Sequence, residues 1–310
     1  MRTCLIGGAG FIGTRLAQYL TDSGRDVVIL GRRVRPDVAL PREVTYVCGD
    51  YGDRAVLKTL LRGVDEIVDL AYATVPQTSF ADPIYDILAN LPPSVQLLQE
   101  AVAAGAHKVV LVSTGGAVYG NAHSLPIGED HPTMPVSPYG ITKLTIEKYA
   151  GMFHHVADLP VAIARPGNAF GEGQRPFAGQ GFIATAMHSI IRGEMVRVFG
   201  TEGTIRDYVH VSDVAKGIIA VLEKGDSGSA YNIGTGVGRS NMDVLRCLEP
   251  LASRASLEVR SERLEARRFD VSANVLDSGK LSGVSGWRPQ IGFEAGLERA
   301  WRAALESYKT

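Results

Sequence analysis

The chain has 310 residues, 45% of them hydrophobic and 21% charged, with a formal net charge of −1. That length buries a substantial core, as one large domain or as a large domain with a smaller lobe. The near-neutral balance removes the electrostatic reason to expect a nucleic acid or a membrane surface as partner, and no apolar stretch approaches the ~18 residues needed to span a bilayer.

Short runs rich in Val and Ile recur along the first half: "TCLIGG", "DVVILG", "TYVCGD", "EIVDLA", "KVVLVST" and "PVAIAR". They show little polar alternation, as expected of strands covered on both faces. Helical patterns lie between them. "FIGTRLAQYLTDSG" runs into Gly24 and "DRAVLKTLLRG" into Gly63, and glycine most easily takes the left-handed helix stop. The alternation predicts an α/β fold, a doubly wound parallel (Rossmann) sheet with ligands beyond the carboxyl ends of its strands. In "NLPPSV", Pro92 and Pro93 fall near the predicted start of a long helix and should shift or kink its first turn. After Arg165 the pattern loosens into glycine-rich loops such as "GEGQRPFAGQG" and "GTGVGRS". The expected organisation is a dinucleotide-binding domain over 1–166, to which segments near 206–234 return. A smaller, interleaved C-terminal substrate-binding lobe takes up most of 167–310.

Cys4, Cys48 and Cys247 are odd in number and lack C-x-x-C spacing, which argues against a disulfide framework or a zinc site, and no metal is expected. Cys4 and Cys48 lie in apolar runs and read as core residues. The N-terminus enters a strand pattern at once, without a signal-peptide layout, so a cytoplasmic location is expected. "RASLEVRSERLEARR" interleaves Glu with Arg and reads, for most of its length, as a solvated face.

"GGAGFIG" follows the first strand and opens the first helix. Gly7, Gly10 and Gly13 leave room for a tight turn, a close approach to a pyrophosphate and close helix–strand packing, and the helix start offers unpaired N–H groups. At the end of the second strand, where an acidic residue commonly binds the adenosine ribose, the chain reads Gly31-Arg32-Arg33. Either arginine can pair with a 2′-phosphate, or both are solvated loop residues, and the pattern leaves NAD and NADP open. Asp50, ending "VCGD", is placed to accept from the adenine amino group or to cap the next helix.

"SPYGITK" sets Tyr139 and Lys143 four residues apart, on one face of a helix. A phenol titrates near 10, and lowering that by about three units needs roughly 4 kcal/mol, which a nearby ammonium and an oxidised nicotinamide can supply together. "LVSTGGAVYG" brings Ser113 and Thr114 to the end of the fifth strand, beside the start of that helix. A hydroxyl there can hold a substrate oxygen while Tyr139 takes its proton. Strand alternation turns Ser113 inward.

"GGAGFIG", "STGGAVYG", "SPYGITK", "ARPGNAFG", "RDYVHVSDVA" and "YNIGTG" occur in the order seen in extended short-chain dehydrogenases/reductases, and the chain most resembles the UDP-glucose 4-epimerase-like nucleotide-sugar enzymes. The resemblance covers nearly the whole chain. It implies Tyr139 as base, Lys143 as its partner and holder of the nicotinamide ribose, and Thr114 as the assisting hydroxyl. Cofactor contacts then include Gly7, Gly10, Phe11, Ile12, Gly13, Arg32, Arg33, Asp50, Tyr51, Leu70, Ala71, Lys143 and Pro166. Asn168 matches the asparagine that contacts the sugar nucleotide. Arg206, Arg267 and Asp270 match groups that hold the diphosphate and nucleoside ribose, and Asn274 sits where the family limits substitution at the sugar C2. Related enzymes pair the "SPYGITKLTIEKYAGMF" helix with the one near 92–104, which implies a homodimer.

The chain departs from the pattern in places. Counting back from Val118, the usual serine position is Gly115, leaving the role to Thr114, a water or Tyr119, with Thr114 preferred. Tyr72 crowds a site that is usually small. An NAD(P)-dependent UDP-hexose 4-epimerase, with N-acetyl and uronic sugars as candidates, is the expected activity, and NAD the expected cofactor because it is regenerated each cycle. An NADPH-dependent keto-sugar reductase and a non-catalytic dinucleotide sensor are the alternatives. A 4,6-dehydratase fits less well, because Gly115-Gly116 stand where its Asp-Glu pair is expected.

Overall fold

The computed structural model describes residues 1–179, 181–267 and 270–309. In chain order its elements are β1 (Arg2–Ile6), α1 (Phe11–Asp22), β2 (Asp26–Gly31), β3 (Thr45–Cys48), α2 (Arg54–Leu60), β4 (Glu66–Asp69), α3 (Pro76–Ala81), α4 (Pro83–Ala104), β5 (Lys108–Val112), α5 (Gly115–Val118), α6 (Pro138–Ala157) and β6 (Val161–Pro166). There follow β7 (Asn168–Phe170), α7 (Phe182–Ile191), β8 (Val196–Phe199), β9 (Ile205–His210), α8 (Val211–Lys224), β10 (Ala230–Ile233), β11 (Gly238–Arg239), α9 (Asn241–Arg254), β12 (Ser261–Leu264), β13 (Ala273–Asn274), α10 (Gly279–Ser285) and α11 (Phe293–Lys309).

Seven strands form one parallel sheet in the order β10-β6-β5-β4-β1-β2-β3. The six apolar runs are the six strands β1 to β6, and two buried layers of Val, Leu, Ile and Ala cover the two faces of the sheet. Each fully buried branched side chain there contributes roughly 1.5–3 kcal/mol. The chain order reverses between β1 and β4, which opens a crevice at their carboxyl ends. No described helix is long and apolar enough to cross a membrane.

The second lobe has its own core, formed by α7, α9 and α11 around β8 and β9. β9 pairs with β7, β11 and β13, and β8 pairs with β12. The chain also re-enters the first lobe, where β10 becomes an edge strand and α8 packs against α1.

Two expectations fail here. Cys48 is exposed, because it ends β3, the edge strand of the sheet; Cys4, on central β1, is buried, and burial pushes its thiol up to about 12. Pro92 and Pro93 are interior to α4 and not near its start. Asp82 caps the helix, accepting from the Tyr85 N–H at 2.8 Å, and Pro83 takes the first helical position, so nucleation occurs more than two turns earlier.

Candidate active site

The glycine turn meets the reversal point of the sheet. Gly7 has φ +75°, and a Cβ there would stand 3.0 Å from the backbone N and Cα of Ala71. A Cβ on Gly13 would lie 2.5 Å from the Gly8 carbonyl oxygen, so α1 packs on the turn only because that atom is missing. Gly10 caps α1 without a side-chain hydrogen bond, leaving the N–H groups of the first turn, at Phe11, Ile12 and Gly13, aimed outward. These residues fit a dinucleotide pyrophosphate: backbone donors, a positive helix end and no side chain in the way.

At the adenosine end, Gly31 closes β2, and a Cβ there would stand 2.5 Å from the Tyr46 hydroxyl. That phenol donates to the Arg33 carbonyl at 2.7 Å. Tyr46 thus fills the place of the expected carboxylate. The Arg33 guanidinium pairs with Asp37, as does Arg175, whereas Arg32 is exposed. Asp50 accepts from the Gly52 N–H at 2.9 Å and does not cap α2, a task taken by Asp53 through the Ala55 N–H at 2.8 Å. Tyr51 is buried beside it, Leu70 and Ala71 follow β4, and Pro166 ends β6.

The start of α6 is held from three directions. Ser137 caps it, accepting from the Gly140 N–H at 3.1 Å, Pro138 sets its first position, and Ser79 on α3 accepts from the Tyr139 N–H at 3.2 Å. Gly140 is required, since a Cβ would stand 2.9 Å from the Ala117 carbonyl on α5. One turn on, the Lys143 ammonium donates to the Val112 carbonyl at the end of β5, at 2.8 Å. Lower down the helix, Glu147 takes a two-pronged ion pair from Arg165, which also donates to the Tyr119 hydroxyl at 2.9 Å. Tyr119 passes the chain to Asn232 at 2.8 Å and is fully buried, so it does not substitute for the missing serine.

Burial, and after it the Asp86 charge, lift the Tyr139 phenol well above its ordinary value, and the hydrogen bond with Thr114 offsets only part of that rise. Burial pushes Lys143 down to about 8, against the carboxylates of Asp69, Glu147 and Asp86. Burial lifts Asp69 to about 6, against Lys143 and the Ala71 N–H. Ser113 points inward with its hydroxyl buried.

Beside Tyr139 opens a cavity of about 940 Å³ between the lobes. Of the residues expected in the substrate site, Thr114, Tyr139, Asn168, Arg206, Arg267 and Asp270 line it. Arg206 loses proton affinity through burial, a penalty that a bound anion would relieve. Arg267 pairs with Asp270 at 3.2 Å and lies over the Phe199 ring, 3.8 Å from its centroid. Asn274 does not join them. It is 1% exposed, and its amide donates to the Gly115 carbonyl at 2.9 Å, bracing the turn behind Thr114.

Sequence reasoning missed several groups. Pro76, Gln77 and Phe80 on α3 and Phe177 and Phe182 of the second lobe line the cavity but carry no motif. Asp207 accepts from the N–H groups of Thr235, Gly236 and Leu276, tying the "GTG" loop to β9.

The sequence model described as the NAD dependent epimerase/dehydratase family matches residues 3–234. The UDP-glucose 4-epimerase of Mycolicibacterium smegmatis is 31% identical over 306 residues, spanning 96% of this chain and 97% of its own. The crystal structure of the Thermotoga maritima UDP-glucose 4-epimerase with UDP-glucose superposes with a TM-score of 0.93 at 29% identity, covering 99% of this chain and all of that one. The Thermus thermophilus UDP-glucose 4-epimerase in complex with NAD gives 0.91 at 29% identity, covering 98% of this chain and 99% of that one.

Proposed function

Because the chain belongs to the NAD dependent epimerase/dehydratase family, we propose that it is an NAD-dependent nucleotide-sugar 4-epimerase, interconverting the C4 epimers of a UDP-linked hexose through a 4-keto sugar. The observation that carries the reading is the cavity with a Thr114–Tyr139 pair in one part of its wall and Arg197, Arg206 and Arg267 in its second-lobe wall.

Bound NAD supplies a reversible hydride acceptor at the sugar C4. The chain does the rest. Tyr139, as phenolate, takes the proton of the C4 hydroxyl while Thr114 holds that oxygen, and returns it when the C4 hydrogen is restored on the opposite face. Lys143 contributes positive charge to the phenolate. Arg206 and Arg267 grip the diphosphate, their planar forks suited to phosphate oxygens, and Asn168 orients the sugar nucleotide. The space beside Tyr139 lets the keto sugar turn over while the diphosphate stays anchored. A dehydratase would need proton carriers after Thr114, and residues 115 and 116 are glycines.

The second copy in a homodimer would cover the outer faces of α4 and α6. Ile84 and Leu88 on α4 and Val156 on α6 are 65%, 62% and 66% exposed, a density of apolar side chains that favours a partner. The three free thiols support a reducing, cytoplasmic setting.

Purified protein with NAD, offered UDP-glucose, UDP-N-acetylglucosamine and UDP-glucuronate in turn, should convert at least one to its C4 epimer by proton NMR, and Tyr139→Phe should lose about 10²–10⁴-fold of that rate. No conversion of any pair would overturn the proposal. A monomer by light scattering at micromolar concentration would remove the dimer.

A further inference from the structure

We propose that Tyr72, braced by the buried carboxylate of Asp86, is a positioning residue that holds the Lys143 ammonium against Tyr139; the inference rests on the 4-epimerase reading and deepens it. It begins with an inversion on α4. Ile84, Ile87 and Leu88 face outward, whereas Asp86, Asn90 and Ser94, spaced four apart, are buried. A helix turned this way places a carboxylate where an apolar side chain would pack at no electrostatic cost.

The carboxylate is satisfied by hydroxyls. Thr142 donates to Oδ2 at 2.6 Å, Tyr72 donates to Oδ1 at 3.4 Å, and Thr74 also donates to Oδ1. Asn90 completes the frame, accepting from the Ala73 N–H at 2.7 Å and donating to the Asp86 carbonyl at 2.7 Å. Asp86 therefore joins α4, the segment after β4 and α6, the last through the residue next to Lys143. Among the described residues it makes no ion pair, and the cation whose charge it supports is Lys143.

Tyr72 spans the space between. Its ring lies under the Lys143 ammonium, 4.2 Å from nitrogen to centroid, and meets the Tyr139 ring edge-on at 5.0 Å. The ammonium is thus held between the Val112 carbonyl and an aromatic face. The phenol–carboxylate contact anchors the far end of that ring. The titratable groups facing Lys143 are Asp69 from β4, Asp86 from α4, Glu147 from its own helix, and the phenols of Tyr72 and Tyr139.

Three variants of the whole chain separate the parts. Tyr72→Phe keeps the ring and cuts its tie to Asp86, Tyr72→Leu removes both, and Asp86→Asn removes the charge at constant size. Epimerisation of the UDP-hexose converted by the wild type is followed with saturating NAD from pH 5.5 to 10, beside thermal melts. Tyr72→Phe should lower kcat by about threefold and Tyr72→Leu by at least roughly tenfold, with KM nearly unchanged. Asp86→Asn should shift the alkaline limb of the pH profile down by about half a unit to one unit, because a negative charge that raises the proton affinity of Lys143 is gone. A merely structural Asp86 would lower the melting temperature and leave that limb in place. Wild-type kcat in Tyr72→Leu, or an unmoved alkaline limb in folded Asp86→Asn, would overturn the inference. If Asp86→Asn does not fold, the two Tyr72 variants decide alone. An inactive wild type overturns the epimerase reading itself, whereas an active wild type with indifferent variants overturns only the positioning role.

Discussion

Which hydroxyl assists Tyr139 can be decided by moving it. Thr114→Val keeps the shape of the side chain and removes the hydrogen bond to the phenol. Losing both that bond and the hold on the sugar oxygen should lower kcat about 10²-fold, or ~2.7 kcal/mol of transition-state stabilisation. Gly115→Ser supplies the hydroxyl at the position that related enzymes use. Here a Cβ at 115 would stand 2.4 Å from Leu276 Cδ1 and 3.0 Å from the Arg165 carbonyl. Leu276 is fully buried and the carbonyl belongs to β6, so relief needs a shift of about 1 Å at a cost of roughly 1–3 kcal/mol. The double variant should therefore be less stable than Thr114→Val in urea, and no faster. Assays of UDP-hexose epimerisation at saturating substrate read the rates. Recovery of the double variant to within a fewfold of wild type would refute the steric argument at position 115, and a Thr114→Val enzyme of undiminished kcat would refute the assignment of Thr114.

Three further outcomes are expected. Gly13→Ala forces α1 off the turn at Gly8, and NAD affinity by calorimetry should weaken about tenfold or more while the fold persists; unchanged affinity would contradict the pyrophosphate assignment. Arg165→Ala strands the buried Glu147 carboxylate and frees the Tyr119 hydroxyl, which should remove about 3–5 kcal/mol from the unfolding free energy in urea, and a loss below about 1 kcal/mol would show that the pair is dispensable. Catalysis needs Lys143 charged, a state lost as pH rises through about 8. Activity should fall above that pH, and Asp69→Asn should draw the alkaline limb to lower pH, since that carboxylate raises the lysine's affinity for its proton; an alkaline limb that stays put would remove Asp69 from the account.

The parts legible in the sequence are those whose constraint is local. Gly7 and Gly13 stand out by their spacing around the first turn, and the atom each lacks would strike a backbone neighbour. Tyr139 and Lys143 share a face because a helix repeats every 3.6 residues. The illegible parts depend on distant partners. Asn274 braces Gly115 across 159 residues, and nothing near "SAN" shows that its amide turns away from the cavity. α4 misled in the same way: Pro92 and Pro93 suggested a helix start, but Asp82 and Pro83 set it earlier, and that register is what buries Asp86. Which side of α4 meets the protein, and so leaves Ile84, Ile87 and Leu88 outward, depends on the position of α6.

The charges that line the cavity are gathered in its second-lobe wall, where Arg197, Arg206 and Arg267 stand with Glu194, Glu262 and Asp270. Arg197 pairs with Glu262 and Arg267 with Asp270, whereas Arg206 carries a burial penalty that the two-pronged contacts of a diphosphate would relieve. The lining around Tyr139, with Thr114, Ser137, Asn168 and Gln77, holds hydroxyls and amides and no arginine. The sugar ring then needs few strong contacts of its own, and weak, interchangeable contacts are what a keto intermediate requires if both of its faces are to meet the same hydride site. An arginine at the Tyr139 end would tighten ground-state binding and hold the ring in one orientation, and the hydride would then return to the face it left, restoring the substrate instead of forming the epimer.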